Sequence, residues 1–128
     1  MDPLEVRRFV KSWVQSWNDH DLEKILSHFA DEVVFTSPVA TQVIADSDGV
    51  LRGKAALRAY WSEGLRRIPD LCFEVIGVYV GISTLVIHYR NQRNALVNEV
   101  LTFDGSLVVE GHGTYLEHNV YDLAVKPV

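Results

Sequence analysis

The chain has 128 residues, 48% of them hydrophobic and 23% charged, a length and mix that can bury a core and that exclude an intrinsically disordered chain. Its net charge of -5 and isoelectric point near 5.4 argue against nucleic acid or an anionic membrane surface as the main partner. A single cysteine, Cys72, rules out an intrachain disulfide and a cysteine-built metal cage, and its apolar setting reads as a small buried hydrophobe.

The opening residues MDPLEVRRFV carry no signal-like apolar run, and no stretch is apolar for long enough to span a bilayer. The expectation is one cytoplasmic domain over residues 1–128. Residues 3–18 read as a helix: Phe9, Trp13 and Trp17 recur every four residues, with Val6, Val10 and Val14 beside them. The polar run Asn18-Asp19-His20-Asp21 ends it and caps a second helix from Leu22 to about Ala30. A short strand, Val33–Thr36, closes at Ser37-Pro38. Residues 39–52 read as a small hairpin or an irregular loop. A third helix runs from about Gly53 to Arg67 and stops at Pro69.

The hydrophobic period then changes from 3.6 to long strands, 71–80, 83–91, 95–103 and 107–117. Their short connections predict a consecutive antiparallel meander. The tail 118–128 either continues the last strand or wanders. Several strands are apolar on both faces, so a second copy of the sheet is the simplest cover, and a homodimer through sheet faces is expected.

The last hairpin, ALVNEVLTF-DGS-LVVEGHGTY, holds three groups that are costly to bury: Glu99, Glu110 and His112. Asp-Gly between β-branched runs is a strong hairpin signal. A Gly105–Ser106 loop sets Asp104 opposite Leu107 and Glu99 opposite His112. An Asp104–Gly105 loop sets Glu99 opposite Glu110. Both even loops put all three groups on one face, whereas a three-residue loop sends Glu99 to the other. Glu99 and His112 are the candidate catalytic pair, a coupled acid and base, or else a structural ion pair filling the interior. The candidate ligand contacts are Trp13, Trp17, Tyr60 and Trp61, with Ser37 and Glu110. The aromatics equally serve as ordinary core, and Ser37 equally as the cap of a Ser-Pro turn. No metal site is expected, since no zinc-type spacing joins Glu99, Glu110 and His112. No cofactor is expected, since neither a Gly-rich phosphate loop nor a dinucleotide fingerprint is present.

The element order and the phrases WNDHDLEKILSHFADEVVFTSP, LRGKAALRAYW and EVLTFDGSLVVEGHGTY resemble the SnoaL-like and ketosteroid-isomerase-like branch of the nuclear transport factor 2-like superfamily. The resemblance covers about residues 4–117. It implies an α+β fold of cystatin-like barrel type, in which a cone-shaped, curved antiparallel sheet, mixed at its edge, wraps three N-terminal helices around a cavity. The isomerases' tyrosine donor, aspartate base and protonated aspartic acid fall, by similarity, on Trp13, Ser37 and Glu99. Only the last keeps a carboxyl group, and a serine hydroxyl cannot replace the base unaided.

The functional expectation is a pocket for a small apolar ligand bearing a carbonyl or a ring. The chemistry would be that of a cofactor-independent isomerase, lyase or hydrolase using Glu99 and His112. The alternative is a dimeric binding or accessory module without chemistry, in which the pair is structural.

Overall fold

Helix α1 spans Pro3–Asn18, as its periodicity predicts. Asp2 caps it by accepting a hydrogen bond from the Leu4 N–H at 2.9 Å, and Val6, Trp13, Ser16 and Trp17 form its buried side. The coordinates are a computed structural model that describes residues 1–117. The expected course of the tail 118–128 lies outside the described residues.

Helix α2, Leu22–Leu26, is shorter than its pattern suggests, and strand β1 begins early, at Phe29–Thr36. The cause is tertiary. The His28 carbonyl accepts from the Val108 N–H at 2.9 Å and Phe29 pairs with Val108, so a sheet neighbour takes over backbone that propensity would leave helical. Phe29 and Ala30 are buried in this arrangement.

Residues 39–52 do not form a hairpin. Ala40–Val43 make a one-turn helix, α3. Asp46, Asp48 and Gly49 then turn the chain with positive φ angles of 63°, 52° and 79°. Strand β2, Val50–Arg52, pairs antiparallel with β1 rather than with its own upstream neighbours. Helix α4, Lys54–Arg67, starts after Gly53, whose φ of 88° favours glycine.

Strands β3 (Glu74–Val80), β4 (Thr84–Arg90), β5 (Leu96–Asp104) and β6 (Leu107–Tyr115) form the expected meander. The strand order is β2-β1-β6-β5-β4-β3, and every pair is antiparallel except β1 with β6. Because β3 starts only at Glu74, Cys72 lies before the sheet and is exposed, contrary to the expected burial. The core joins residues of α1, α2 and α4 to alternate residues of the strands, such as Leu85, Ile87 and Tyr89 of β4 and Val97, Leu101 and Phe103 of β5.

One irregularity decides the fate of the hairpin. Its turn has the Gly105–Ser106 loop, with Asp104 opposite Leu107 and Phe103 opposite Val108. The next pair is Thr102 with Glu110, so Val109 is an extra, unpaired residue: a β-bulge. Beyond it Glu99 faces Gly113 and Val100 faces His112. Glu99 is buried on the core side, while Glu110 and His112 project from the opposite surface. The shared face expected for Glu99, Glu110 and His112 is therefore not formed. The turn is one of the two expected, but one extra residue inverts the side-chain alternation beyond it.

Candidate functional site

Glu99 lines a pocket of about 90 Å³ between the sheet, α1, α3, α4 and the segment leading into β3. Its place follows from period-two alternation in β5, where Val97, Glu99, Leu101 and Phe103 all turn inward. Tyr89 Oη–H donates to Glu99 Oε1 at 3.1 Å. Burial nevertheless dominates and pushes the carboxyl group from 4.5 to about 7, with the Tyr89 hydrogen bond opposing the rise.

Two further phenols converge here. Tyr60 Oη–H donates to Ser37 Oγ at 3.4 Å, a long contact, and burial raises the Tyr60 pKa. Tyr115 is 38% exposed as a residue yet lines the pocket, and burial, followed by the Glu99 charge, raises its pKa against an opposing hydrogen bond with Ser37. Burial and then Glu99 likewise hold the Tyr89 phenol well above its ordinary value. No lysine, arginine or histidine lines the pocket among the described residues, so nothing there neutralises a carboxylate at Glu99 except a proton.

Of the expected ligand contacts, Trp17, Ser37, Tyr60 and Trp61 line this pocket together with Glu99. Trp17 and Trp61 meet edge to face at 5.0 Å, and the Trp17 indole N–H is buried without an acceptor among the described residues. Trp13 does not reach the pocket. It lies behind two of the walls, stacked on Phe73 at 5.7 Å and edge-on to Tyr89 at 5.3 Å. Glu110 and His112 are also outside. His112 Nε2 lies 2.9 Å from Glu110 Oε1, and its Nδ1 lies 2.6 Å from Thr36 Oγ1, all on the outer face. Glu99 and His112 thus do not meet, and the coupled pair expected of them is replaced by a carboxyl group among phenols.

Phe73, Tyr89, Gly113 and Tyr115 line the same pocket and are not among the contacts expected from the sequence. Tyr89 continues the inward series Leu85-Ile87 and was open to the same alternation argument. Gly111 and Gly113 inside a strand are themselves a sign of a bulge or a close approach. Tyr115 carried no such sign, because its face depends on the bulge.

Residues 10–115 match the SnoaL-like domain family. The chain belongs to it. A SnoaL-like protein of unknown function from Burkholderia thailandensis is 40% identical, with coverage of 89% of this chain and 96% of that chain and a TM-score of 0.84. A nuclear transport factor 2-like protein of unknown function from Cytophaga hutchinsonii has a TM-score of 0.67 at 10% identity, covering 85% and 88% of the two chains. TerC, co-crystallised with polyporic acid, has a TM-score of 0.72 at 12% identity, covering 87% and 91%. These last two likenesses show the fold, α+β with N-terminal helices on a six-stranded mixed sheet. No curated protein matches the sequence. Among the described residues no helix is long and apolar enough to cross a membrane.

Proposed function

We propose that this SnoaL-like chain binds a small carbonyl compound in the Glu99 pocket and moves a proton on it. The observation that carries this reading is a carboxyl group buried in the pocket wall, hydrogen-bonded by Tyr89 Oη–H with no cationic side chain in the lining, a setting that pushes it up to about 7. Near neutral pH such a group is present in both protonation states, the condition for general acid and general base work. Glu99 exchanges the proton, Ser37, Tyr60 and Tyr115 hold the polar end of the ligand, and Trp17 and Trp61 flank its apolar part. The reaction class is a cofactor-independent isomerisation, elimination or hydrolysis. That a protein of the same fold was co-crystallised with an organic acid supports a small-molecule role.

A second reading is a binding or accessory module in which Glu99 and Tyr89 are structural. The volume favours it: about 90 Å³ is well below the roughly 300 Å³ at which ordinary ligand pockets begin. On the catalytic reading the ligand is correspondingly small, or α3 and the wall at residues 71–73 yield to admit it.

Proton exchange tests the choice directly. Cyclopentanone in heavy water should lose its α-hydrogens faster with the protein, with a pH dependence centred near 7. Glu99→Gln should cut that acceleration by about 100-fold or more. Acceleration that is absent, or unchanged in the variant, refutes the catalytic reading.

The outer face supports pairing with a second copy. Val86, Val100, His112 and Thr36 form a cross-strand row there, in register from β4 to β1. Val86 and Val100 are only half-buried in the single chain.

A further inference from the structure

We propose that Ser12 and His28 form a second reactive site, in which the Ser12 hydroxyl takes an acyl group from an activated donor and His28 takes the hydroxyl proton. The site lies between α1 and the segment that joins α2 to β1, and it shares no residue with the Glu99 pocket.

The partners of His28 fix which of its nitrogens carries the hydrogen. Nδ1 lies 3.1 Å from the Ile25 carbonyl oxygen, which can only accept, so Nδ1 is the protonated nitrogen. Burial lowers the pKa of the ring, the Ile25 hydrogen bond opposes that, and the Lys24 charge adds to it, so the imidazole is neutral near pH 7. Nε2 then offers a lone pair, and the Ser12 hydroxyl, 3.0 Å away, donates to it. The ring is held in place: the His28 carbonyl accepts from the Val108 N–H, and Phe9 meets the imidazole edge to face at 5.1 Å. A hydroxyl bonded to a neutral base, whose other nitrogen is held by an acceptor, is the arrangement that activates a serine nucleophile. Here a backbone carbonyl stands in the orienting place of a carboxylate.

Local helix geometry does not dictate this contact. A serine inside a helix commonly turns its hydroxyl back to the carbonyl one turn earlier, as Ser16 does to Ser12. Ser12 instead sends its hydroxyl across to His28. Ser12 and Ser16 line a groove of about 430 Å³, within the range of small-molecule sites. Arg8, Lys11 and Lys24 line it too, make no ion pair among the described residues, and outnumber its carboxylates, Asp19 and Asp21. The groove therefore favours a donor whose leaving group departs as an anion. The backbone N–H groups in the middle of α1 are committed to the helix and cannot hold a carbonyl oxyanion, so the donor must be activated already.

In the step, Ser12 Oγ bonds to the acyl carbon and the bond from that carbon to the leaving oxygen breaks. The leaving group departs with the electron pair, and the serine proton passes to His28 Nε2 and on to water. The test uses p-nitrophenyl acetate near neutral pH, with the acetyl groups located over time by peptide mass spectrometry. Ser12 should be acetylated about 100-fold faster than Ser27, an exposed serine whose hydroxyl donates to the Lys24 carbonyl and has no base beside it. Neutral hydroxylamine should release the group, as it does from an ester and not from an amide on Lys11. His28→Gln should bring the Ser12 rate down to that of Ser27. A Ser12 rate within about tenfold of Ser27, acetylation confined to Lys11 or Lys24, or equal Ser12 rates in the wild type and His28→Gln overturns the proposal. If His28→Gln does not fold, the ratio of Ser12 to Ser27 within the wild type decides by itself.

Discussion

Burial keeps Glu99 protonated up to about pH 7, whereas its unperturbed value is 4.5. Between those values the folded chain holds more protons than the unfolded chain, so stability falls as pH rises through this window and levels off above it. A shift of this size corresponds to about 3 kcal/mol. Glu99→Gln, which cannot ionise, should flatten the dependence, gaining on the wild type by that order between pH 4.5 and 8 in urea denaturation. An equal slope for both proteins would contradict the burial of the carboxyl group. At Gly111 the 2.7 Å approach to Phe35 sets a different expectation. Gly111→Ala should destabilise by about 1–3 kcal/mol through overpacking, measured by the same denaturation.

At the scale of elements, the pocket wall depends on a clamp between α1 and the segment before β3. Asn18 Nδ2–H donates to the Phe73 carbonyl at 3.0 Å, and its Oδ1 accepts from the Phe73 N–H at 2.7 Å. His20 Nε2 meets the Leu71 carbonyl at 2.9 Å. Leu71 and Phe73 are pocket residues held by these contacts rather than by a strand ladder. Asn18→Ala should cost about 1 kcal/mol, since the clamp is exposed to water. It should also speed amide exchange at Phe73 while leaving the β4–β5 ladder protected. Unchanged exchange at Phe73 would mean that packing of its ring on Trp13 and Tyr89 suffices to hold the segment.

For the whole molecule, the sheet has one face committed to the core and the other carrying Val86 and Val100 among threonines and polar groups. The proposed dimer covers this second face. Val100→Asp should then convert the dimer to monomer in sedimentation at micromolar concentration, with the monomer's secondary structure retained, because Val100 points away from the core. A monomeric wild type would remove the dimer from the reading and leave the Glu99 pocket unaffected, since its lining lies on the other side of the sheet.

Local pattern was enough for much of this. The 3.6-residue stripe of α1, the Asp-Gly turn and the short loops of the β3–β6 meander are each set by residues close together in the chain, and so they were legible in the sequence. So was the inward placing of Trp17, Tyr60 and Trp61. The parallel pairing of β1 with β6 cut α2 short, and it joins residues nearly eighty positions apart that no local period connects. The separation of His112 and Glu110 from Glu99 was likewise a tertiary decision. One unpaired residue, Val109, inverted a strand whose alternation points equally well to either face. Which face each side chain takes is set by register against the neighbouring strand, and a period of two contains no memory of a bulge.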